Sequence, residues 1–390
     1  MIRLFINGLA ASAGGGPTYL RNVIPHLSRR LDVETTVLLN PAIRGEFGEA
    51  PNISLIDGPA QKDAFRRFVH EQTSLPKLIR RSGAHVLVSA GNFALWNSPV
   101  AQILLSRNSL YTSADFLSDV RARGDRAIWA DTLIKGWLAK RSIRRAEMTI
   151  APSEAFARDL TKWSGKRVRA LHHGFDVDAF TSDPTPLSPP LQIQIDQARN
   201  AFRLLFVSHY NYYRNFETLF RALPILSARL SGKQVKLFLT CKLSTEENPG
   251  LYQANEAMAL IKSLRSGDSV VELGTVPYRS LHLLYRACHV YVTPAYAESF
   301  AHPLVEAMSN ALPVVASDLP VHREICADAG LYFPRFNPMA LVERVLEIHQ
   351  SPELAETLSR NGLRRAREFS WSKHVEDLVA MAKELANVDS

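Results

Sequence analysis

The chain has 390 residues, of which 46% are hydrophobic and 22% charged, and its net charge is +8. This length accommodates two domains of ordinary size, each with its own hydrophobic core, and the composition excludes a disordered chain. Because no apolar run reaches the roughly eighteen residues that span a bilayer, and no secretory signal precedes the first strand, we expect a cytoplasmic protein.

A strand, a glycine-rich loop and an amphipathic helix open the chain. The strand is predicted over Arg3–Asn7 and the helix over Thr18–Arg29, where apolar residues recur at helical spacing. Between them lie Gly14, Gly15 and Gly16, which would let the backbone approach a ligand closely. A tight structural turn explains these glycines equally well, and the G-x-G-x-x-G spacing of a dinucleotide site is absent.

Strands and helices then alternate through the first half of the chain. Strands are predicted over Glu34–Leu39, Ile53–Ile56, His85–Ser89, Val100–Leu105 and Met148–Ala151, with long helices over residues 62–82 and 125–145. This alternation is typical of an α/β domain built on a parallel sheet. The polar residues Arg107 and Asn108 follow directly after one of these strands.

Positive charge is concentrated between Lys62 and Arg169, where twenty Lys and Arg residues stand against nine Asp and Glu residues. This asymmetry indicates an anionic partner, and a membrane surface or anionic acceptor fits better than nucleic acid, for which no binding motif is present. The helix over residues 125–145 carries apolar Trp129, Leu133, Ile134, Trp137 and Leu138 ahead of basic Lys140, Arg141, Arg144 and Arg145. Two interpretations remain open: the apolar stripe packs on the sheet, or the helix adsorbs to an anionic membrane.

A polar, proline-rich stretch over residues 183–194 marks a domain boundary. Just before it, Asp176 and Asp178 form a D-x-D pattern of the kind that can bind a metal ion. Because the pattern lies in the turn that leaves the first domain, we interpret it as a helix or turn cap.

Basic side chains follow the first strands of the second domain. A strand is predicted over Arg203–Val207 and a helix over Phe216–Leu230, with His209 and Arg214 in the loop between them. Lys242 follows the next strand in the same way. From these residues alone, a phosphate site and an ordinary polar cluster at the strand ends are both open.

Two glutamates mark the densest pattern in the chain, the stretch Tyr291–Pro334, which predicts half of a doubly wound sheet. Glu298 lies in a loop and Glu306 in the following helix, so that both can face the crevice beyond the strand ends. The backbone N–H groups between them, those of Ser299, Phe300 and Ala301, precede a helix N-terminus, where anions bind readily. This arrangement suggests a nucleotide whose hydroxyl groups meet the two carboxylates, while two ordinary solvated residues of a loop and a helix explain the spacing of the glutamates alone at least as well.

The same stretch carries a family resemblance. The motif E-S-F-A-H-P-L-V-E-A-M from Glu298, then P-V-V-A-S-D from Pro313 and G-L-Y-F from Gly330, resembles the donor-site block of the retaining glycosyltransferases of family 4. In that family glycines usually stand where this chain has Ser299 and Ala301. The resemblance covers most of residues 140–385 and implies the GT-B fold, in which two Rossmann-like, doubly wound parallel-sheet domains face each other across a cleft.

The resemblance implies sugar transfer from a nucleotide-sugar donor in glycan, polysaccharide or glycolipid synthesis, with retention of configuration and without a metal or cofactor. Arg214, with His209 or Lys242, would stabilise the departing diphosphate. Glu306 would bind the ribose hydroxyls, and Glu298 would hold hydroxyls of the donor sugar. The family's base-binding loop corresponds to Gly274 and Val276, its glycine-rich first loop to Gly15 and Gly16, and the acceptor-side strand end, where relatives carry a histidine, to Arg107 and Asn108.

These patterns predict the domain bounds. We expect an N-terminal acceptor domain over residues 1–182, a linker over 183–199, a donor domain over 200–367, and a C-terminal segment over 368–390 that the fold would carry back to the first domain. Two other functions remain open, a nucleotide-sugar epimerase on the same fold and a non-catalytic glycan-binding protein. The sequence identifies neither the donor base and sugar nor the acceptor.

Overall fold

The computed structural model of the protein describes residues 1–11, 15–59, 64–230, 232–244 and 252–387. Gly14 of the N-terminal loop lies outside these residues. Within them the strands form one parallel sheet of seven strands and one of six, so the predicted α/β class with two Rossmann-like sheets is confirmed. Among the same residues, no helix is long and apolar enough to cross a membrane.

The chain divides into two compact units. The first comprises Met1–Thr112, Ala130–Gly174 and Ser370–Ser390, and the second comprises Ser113–Trp129 and Phe175–Phe369. The second unit thus begins ahead of the proline-rich stretch, part of which forms a helix because its prolines occupy the first helical turn.

The first unit is built on seven strands in the order β3-β2-β1-β4-β5-β6-β7. The strands are β1 (Ile2–Gly8), β2 (Val33–Leu39), β3 (Ile53–Asp57), β4 (Val86–Ser89), β5 (Ala101–Leu105), β6 (Met148–Ala151) and β7 (Arg169–Ala170). The helices up to residue 174 are α1 (Gly15–Ser28), α2 (Pro41–Arg44), α3 (Ala64–Ser82), α4 (Ala114–Ala122), α5 (Arg126–Arg145) and α6 (Glu154–Ser164). Most strand residues are buried, as expected for a parallel sheet covered on both faces.

Helix α4 belongs to the second unit although it lies between two strands of the first, and this differs from the predicted bounds. Its carboxylates account for the difference. Arg335 Nε donates to Asp115 at 2.7 Å, and the hydroxyl of Tyr296 donates to Asp119 at 2.5 Å. These partners are far away in sequence, so no local pattern could have indicated them.

The second unit is built on six strands in the order β10-β9-β8-β11-β12-β13. The strands are β8 (Phe202–Phe206), β9 (Val235–Leu239), β10 (Val270–Glu272), β11 (Val290–Thr293), β12 (Val314–Ser317) and β13 (Gly330–Phe333). The remaining helices are α7 (Val177–Thr181), α8 (Pro189–Gln197), α9 (Phe216–Arg229), α10 (Asn255–Ser263), α11 (Tyr278–Arg286), α12 (His302–Ser309), α13 (Pro320–Cys326), α14 (Pro338–Gln350), α15 (Pro352–Ala366) and α16 (Trp371–Ala386). The strand order reverses between β8 and β11, and ligands of such sheets bind at this switch point.

The last helix, α16, packs in the first unit. Trp371 joins the hydrophobic core formed by β1, β4 and α1. His374 Nδ1 bonds the carbonyl oxygen of His172 at 2.7 Å, and its Nε2 lies 3.1 Å from the hydroxyl of Tyr19. A carbonyl only accepts, so Nδ1 carries the proton and Nε2 accepts from Tyr19.

Candidate donor site

Three contacts join the loops that follow β8 and β11, the strands at the switch point of the second unit. The N–H of Tyr296 donates to the carbonyl of Tyr213 at 3.0 Å, and Asn215 Nδ2 donates to the carbonyl of Pro294 at 3.0 Å. The third contact links Arg214 to Glu298. The two loops that sequence analysis marked separately therefore form one site.

Arg214 and Glu298 form a largely buried ion pair, in which Arg214 Nη1 donates to Glu298 Oε2. Burial by itself would lower the pKa of Arg214 and raise that of Glu298. Burial is the largest single effect on each group, but the opposite charge, other nearby charges and hydrogen bonds together outweigh it, so the pKa of Arg214 lies above its ordinary value and that of Glu298 lies below. The Nε–H of Arg214 is buried without a hydrogen-bond partner among the described residues, which leaves a donor for an incoming oxygen atom.

His322 is a member of this site that sequence analysis missed. It lies in α13, is fully buried, and its Nδ1 bonds the carbonyl of Ser317 at 2.9 Å. Nδ1 therefore carries the proton, and Nε2, which has no partner among the described residues, can only accept. Burial lowers the pKa of His322 and keeps the ring neutral, although the charge of Glu298 opposes that shift. A single histidine in a helix gave no signal by which its role could have been found.

Glu306 is the second carboxylate, in α12. Its Oε2 accepts a hydrogen bond from the hydroxyl of Tyr285 at 2.7 Å. Burial raises the pKa of Glu306 to about 7, and the bond from Tyr285 only partly opposes this shift. Tyr291 is fully buried in β11, and its pKa is raised by burial and by the charges of Glu306 and Glu298 and lowered by that of Arg214, so all three groups lie near this side chain.

The backbone between the two glutamates includes a strained residue. Ala301 precedes α12 with φ 69° and ψ 64°, the left-handed region in which a glycine is far less strained. The N–H of Ser299 donates to Glu298 Oε1 at 3.1 Å, so this group already has an acceptor. Phe300 is buried against Phe369, with ring centroids 5.4 Å apart. The side chain of Phe300 therefore has a packing role.

The other predicted donor-site residues lie in the loops after β8, β9 and β10. His209 is exposed, while Val276 is half-buried. Lys242 Nζ donates to the carbonyl of Glu272 at 2.6 Å. Gly274 has φ 74°, and a Cβ there would lie 3.4 Å from the Lys242 side chain. Lys242 therefore supports the backbone of the predicted base-binding loop in this structure.

The predicted acceptor-side residues lie together in the first unit, at the carboxyl ends of its strands. Arg107 Nη1 donates to the carbonyl of Gly15 at 2.8 Å, and Nη2 donates to the carbonyl of Ala90 at 2.6 Å. A Cβ on Gly16 would lie 2.9 Å from Ala11 Cα, so only glycine fits there without displacement. Asn108 Oδ1 accepts from the N–H of Leu110, which caps a 3₁₀ turn. Arg107 thus fixes the glycine loop, a contact that strand periodicity could not predict.

The D-x-D pattern serves as a cap, as predicted. Asp176 Oδ1 accepts from the N–H of Ala179 at 3.0 Å and caps α7. Asp178 pairs with Arg367 at 3.3 Å. In the described part of the chain, no three His, Cys, Asp or Glu side chains converge in a geometry that would hold a metal ion.

Comparisons with known proteins identify the family of the chain. A family model described as Glycosyl transferases group 1 matches residues 192–365, and one described as Glycosyltransferase Family 4 matches residues 13–179. O-antigen chain mannosyltransferase B of Escherichia coli is 36% identical over 25% of this chain and 26% of its own length. D-inositol 3-phosphate glycosyltransferase 2 of Catenulispora acidiphila is 26% identical over 60% of this chain and 58% of its own length. The matched part of the chain therefore spans 26% of the length of the first relative and 58% of the length of the second.

Solved structures show the same fold. Sucrose-phosphate synthase from Thermosynechococcus elongatus superposes with a TM-score of 0.79 at 17% identity, covering 100% of both chains. The Anabaena protein HepE, in complex with UDP and glucose, superposes with a TM-score of 0.70 at 16% identity, covering 99% of this chain and 100% of its own. The two Rossmann-like sheets and these superpositions thus define the GT-B fold. With both of its halves matched by family models, the protein belongs to the group 1, family 4 glycosyltransferases.

Proposed function

We propose that the protein transfers a hexose from a nucleotide-sugar donor to an acceptor, with retention of configuration and without a metal ion. The observation that carries the proposal is the Arg214–Glu298 pair beside Glu306, at the strand ends where α/β sheets bind nucleotides. The matched families support the reaction type, and the relative HepE, solved with UDP and glucose, supports the donor class.

Arg214 has the features required to stabilise a departing diphosphate. Its buried guanidinium is held by Glu298 through Nη1, and its Nε–H, which has no partner in the described part of the chain, would bind a phosphate oxygen. A fixed cation in a site that excludes water stabilises charge that develops on the leaving group. Exposed His209 would meet the outer phosphate, and the N–H groups of Phe300 and Ala301, which precede α12, would complete the anion site.

Glu298 and Glu306 would each bind different hydroxyl groups of the donor. Tyr285 occupies Oε2 of Glu306, so Oε1 is the atom that would accept hydrogen bonds from the ribose. Glu298 keeps its charge because Arg214 lies beside it, and it would hold the hydroxyls of the transferred sugar. Gly274 and Val276 would contact the base through backbone atoms, with Lys242 supporting their loop.

The acceptor would bind to the first unit. Arg107 holds the loop of Gly15 and Gly16 in place, and with Asn108 it would line the acceptor side. The positive charge between residues 62 and 169 favours an acceptor that is anionic or carried by an anionic membrane. We place the enzyme in the cytoplasm, with this unit at the inner face of the membrane.

The test is nucleotide release that depends on an acceptor. A panel of nucleotide sugars is first screened by thermal shift, because a ligand that binds only the folded state raises the melting temperature. The stabilising donor is then incubated with and without lipid-linked or free glycan acceptors. Release of nucleoside diphosphate only with acceptor supports transfer. Donor conversion without acceptor would instead identify an epimerase, and binding without turnover would identify a glycan-binding protein.

A further inference from the structure

Helix α5 places its large apolar side chains outward. The residues that it buries are small or polar for the most part: Thr132, Gly136, Ala139, Ser142 and Ile143. By contrast Ile134 is 62% exposed, Trp137 is 58% exposed and Leu133 is 42% exposed. The apolar stripe therefore does not pack on the sheet, which was one of the two interpretations left open by the sequence.

Gly136 lies on the buried side of helix α5. A Cβ on Gly136 would lie 3.7 Å from Tyr111 and 3.8 Å from Trp163, so the helix approaches both aromatic side chains with its smallest residue. The exposed face is thus a consequence of how the helix is seated, and it is present in the folded chain.

Basic side chains continue the same face. Trp137, Lys140, Arg141, Arg144 and Arg145 line an open groove of about 250 Å³. The guanidinium of Arg141 lies 4.8 Å from the ring centroid of Trp96, and that of Arg145 lies 5.7 Å from it. These contacts orient the guanidinium groups without neutralising them, because an aromatic ring carries no net charge.

We infer that this face, the α5 surface (Leu133, Ile134, Trp137, Lys140, Arg141 and Arg144), docks on an anionic lipid bilayer. Trp137 and the two aliphatic side chains would enter the interfacial layer, and the basic groove would take lipid phosphates. A second copy of the chain is disfavoured, since the same cations would face each other. A nucleic acid would leave Leu133 and Ile134 without an apolar partner. The inference rests on the proposed function in one respect: docking of the α5 surface would bring the first unit to an acceptor that is carried by the membrane.

The experiment is sedimentation of the full chain with phosphatidylglycerol-containing vesicles and with pure phosphatidylcholine vesicles, at about 0.05 M and about 0.5 M salt. We expect binding to the anionic vesicles at low salt that weakens at high salt. The variant Lys140→Gln with Arg141→Gln should lower the partition coefficient about thirtyfold, the effect of two charges near an anionic surface. The variant Ile134→Ser with Trp137→Ser should lower it more than about tenfold.

Matched controls come from exposed residues elsewhere. Ile193→Ser with Leu363→Ser removes apolar groups of similar exposure, and Arg360→Gln with Lys373→Gln removes two exposed cations. Both should bind vesicles like the unaltered chain. The inference would be overturned if the chain did not bind anionic vesicles at low salt, or if all variants bound them equally. A dimer of the chain in solution that the Ile134→Ser, Trp137→Ser variant dissociates would also overturn it. Binding to heparin at low salt that the apolar variant leaves unchanged, without vesicle binding, would point to a soluble polyanion. Nucleotide binding is measured on the same samples, so a failure here leaves the proposed function standing.

Discussion

The replacement Glu306→Gln should stabilise the protein while weakening nucleotide binding. A buried carboxyl whose pKa rises from the ordinary 4.5 to about 7 is harder to ionise in the folded state than in the unfolded state. Once the pH exceeds both values, this difference lowers the free energy of unfolding by about 3 kcal/mol. Glutamine avoids the cost because it carries no charge, and its amide still meets the hydroxyl of Tyr285.

The sign of the pH dependence follows from the same values. Below about pH 4.5 the group is protonated in both states, so it has no effect on stability. Between that pH and about 7 the unfolded state loses its proton first, so the unaltered protein becomes progressively less stable relative to the variant. Above about pH 7 the difference in the free energy of unfolding between the two proteins stays constant. Stability should therefore diverge between the two proteins as the pH rises.

Urea unfolding at pH 5, 6, 7 and 8 measures the divergence, and calorimetric titration with nucleoside diphosphates measures binding. The variant should lose about 1–3 kcal/mol of binding free energy, the range for a charged hydrogen bond. Glu376→Gln, at an exposed glutamate, serves as the control and should change neither quantity. Parallel pH profiles for the unaltered protein and the Glu306→Gln variant would refute the burial argument, and unchanged nucleotide affinity would refute the ribose contact.

Three further changes test the site. Arg214→Ala should lower kcat by roughly two or more orders of magnitude. The double variant Arg214→Met with Glu298→Gln leaves no unpaired buried charge, so it separates this loss of activity from a loss of folding. Activity should persist in excess chelator, whereas strict dependence on Mn²⁺ would point to Asp176 and Asp178 as metal ligands. His322→Leu should raise KM for the donor about tenfold with little change in nucleoside diphosphate affinity, if its Nε2 accepts from a sugar hydroxyl; equal losses for both ligands would contradict that role. Ala301→Gly should raise the free energy of unfolding by about 1 kcal/mol in urea denaturation, because it relieves a left-handed backbone, whereas Ala307→Gly in the following helix should lower it by about as much.

The sequence predicted those parts of the fold that depend on local patterns. Buried parallel strands show as short runs of Val, Ile and Leu, so β6 (Met148–Ala151) was predicted with its bounds unchanged. The proline at position 303 marked the first turn of α12, which the structure extends over His302–Ser309. The predicted placement of Glu298 in a loop and of Glu306 in the following helix is also confirmed.

Other features depend on contacts between distant residues, and no local pattern contains them. Helix α4 has ordinary helical spacing, and the unit that it joins is decided by contacts with residues distant in sequence, among them its ion pair with Arg335 and its bond with Tyr296. The face of α5 is a similar case. Its periodicity located an apolar stripe correctly, but which face is buried depends on contacts with distant residues, such as those that the Gly136 side of the helix makes near Tyr111 and Trp163. Periodicity predicts that a helix has an apolar face and a polar face, but it does not predict which face the rest of the protein covers.

Several features that reduce stability occur together around β11 and α12 of the second unit. Glu306 is a buried carboxyl with a raised pKa, Ala301 has a left-handed backbone, and Arg214 and His322 each bury a nitrogen atom without a partner among the described residues. Each such feature costs on the order of 1–3 kcal/mol and could be removed by a single substitution. Their coincidence at one switch point is most simply explained if a ligand supplies the missing partners, because nucleotide and sugar hydroxyls and phosphates offer the required donors and acceptors. A bound donor should therefore stabilise this unit by more than its contact area alone would suggest.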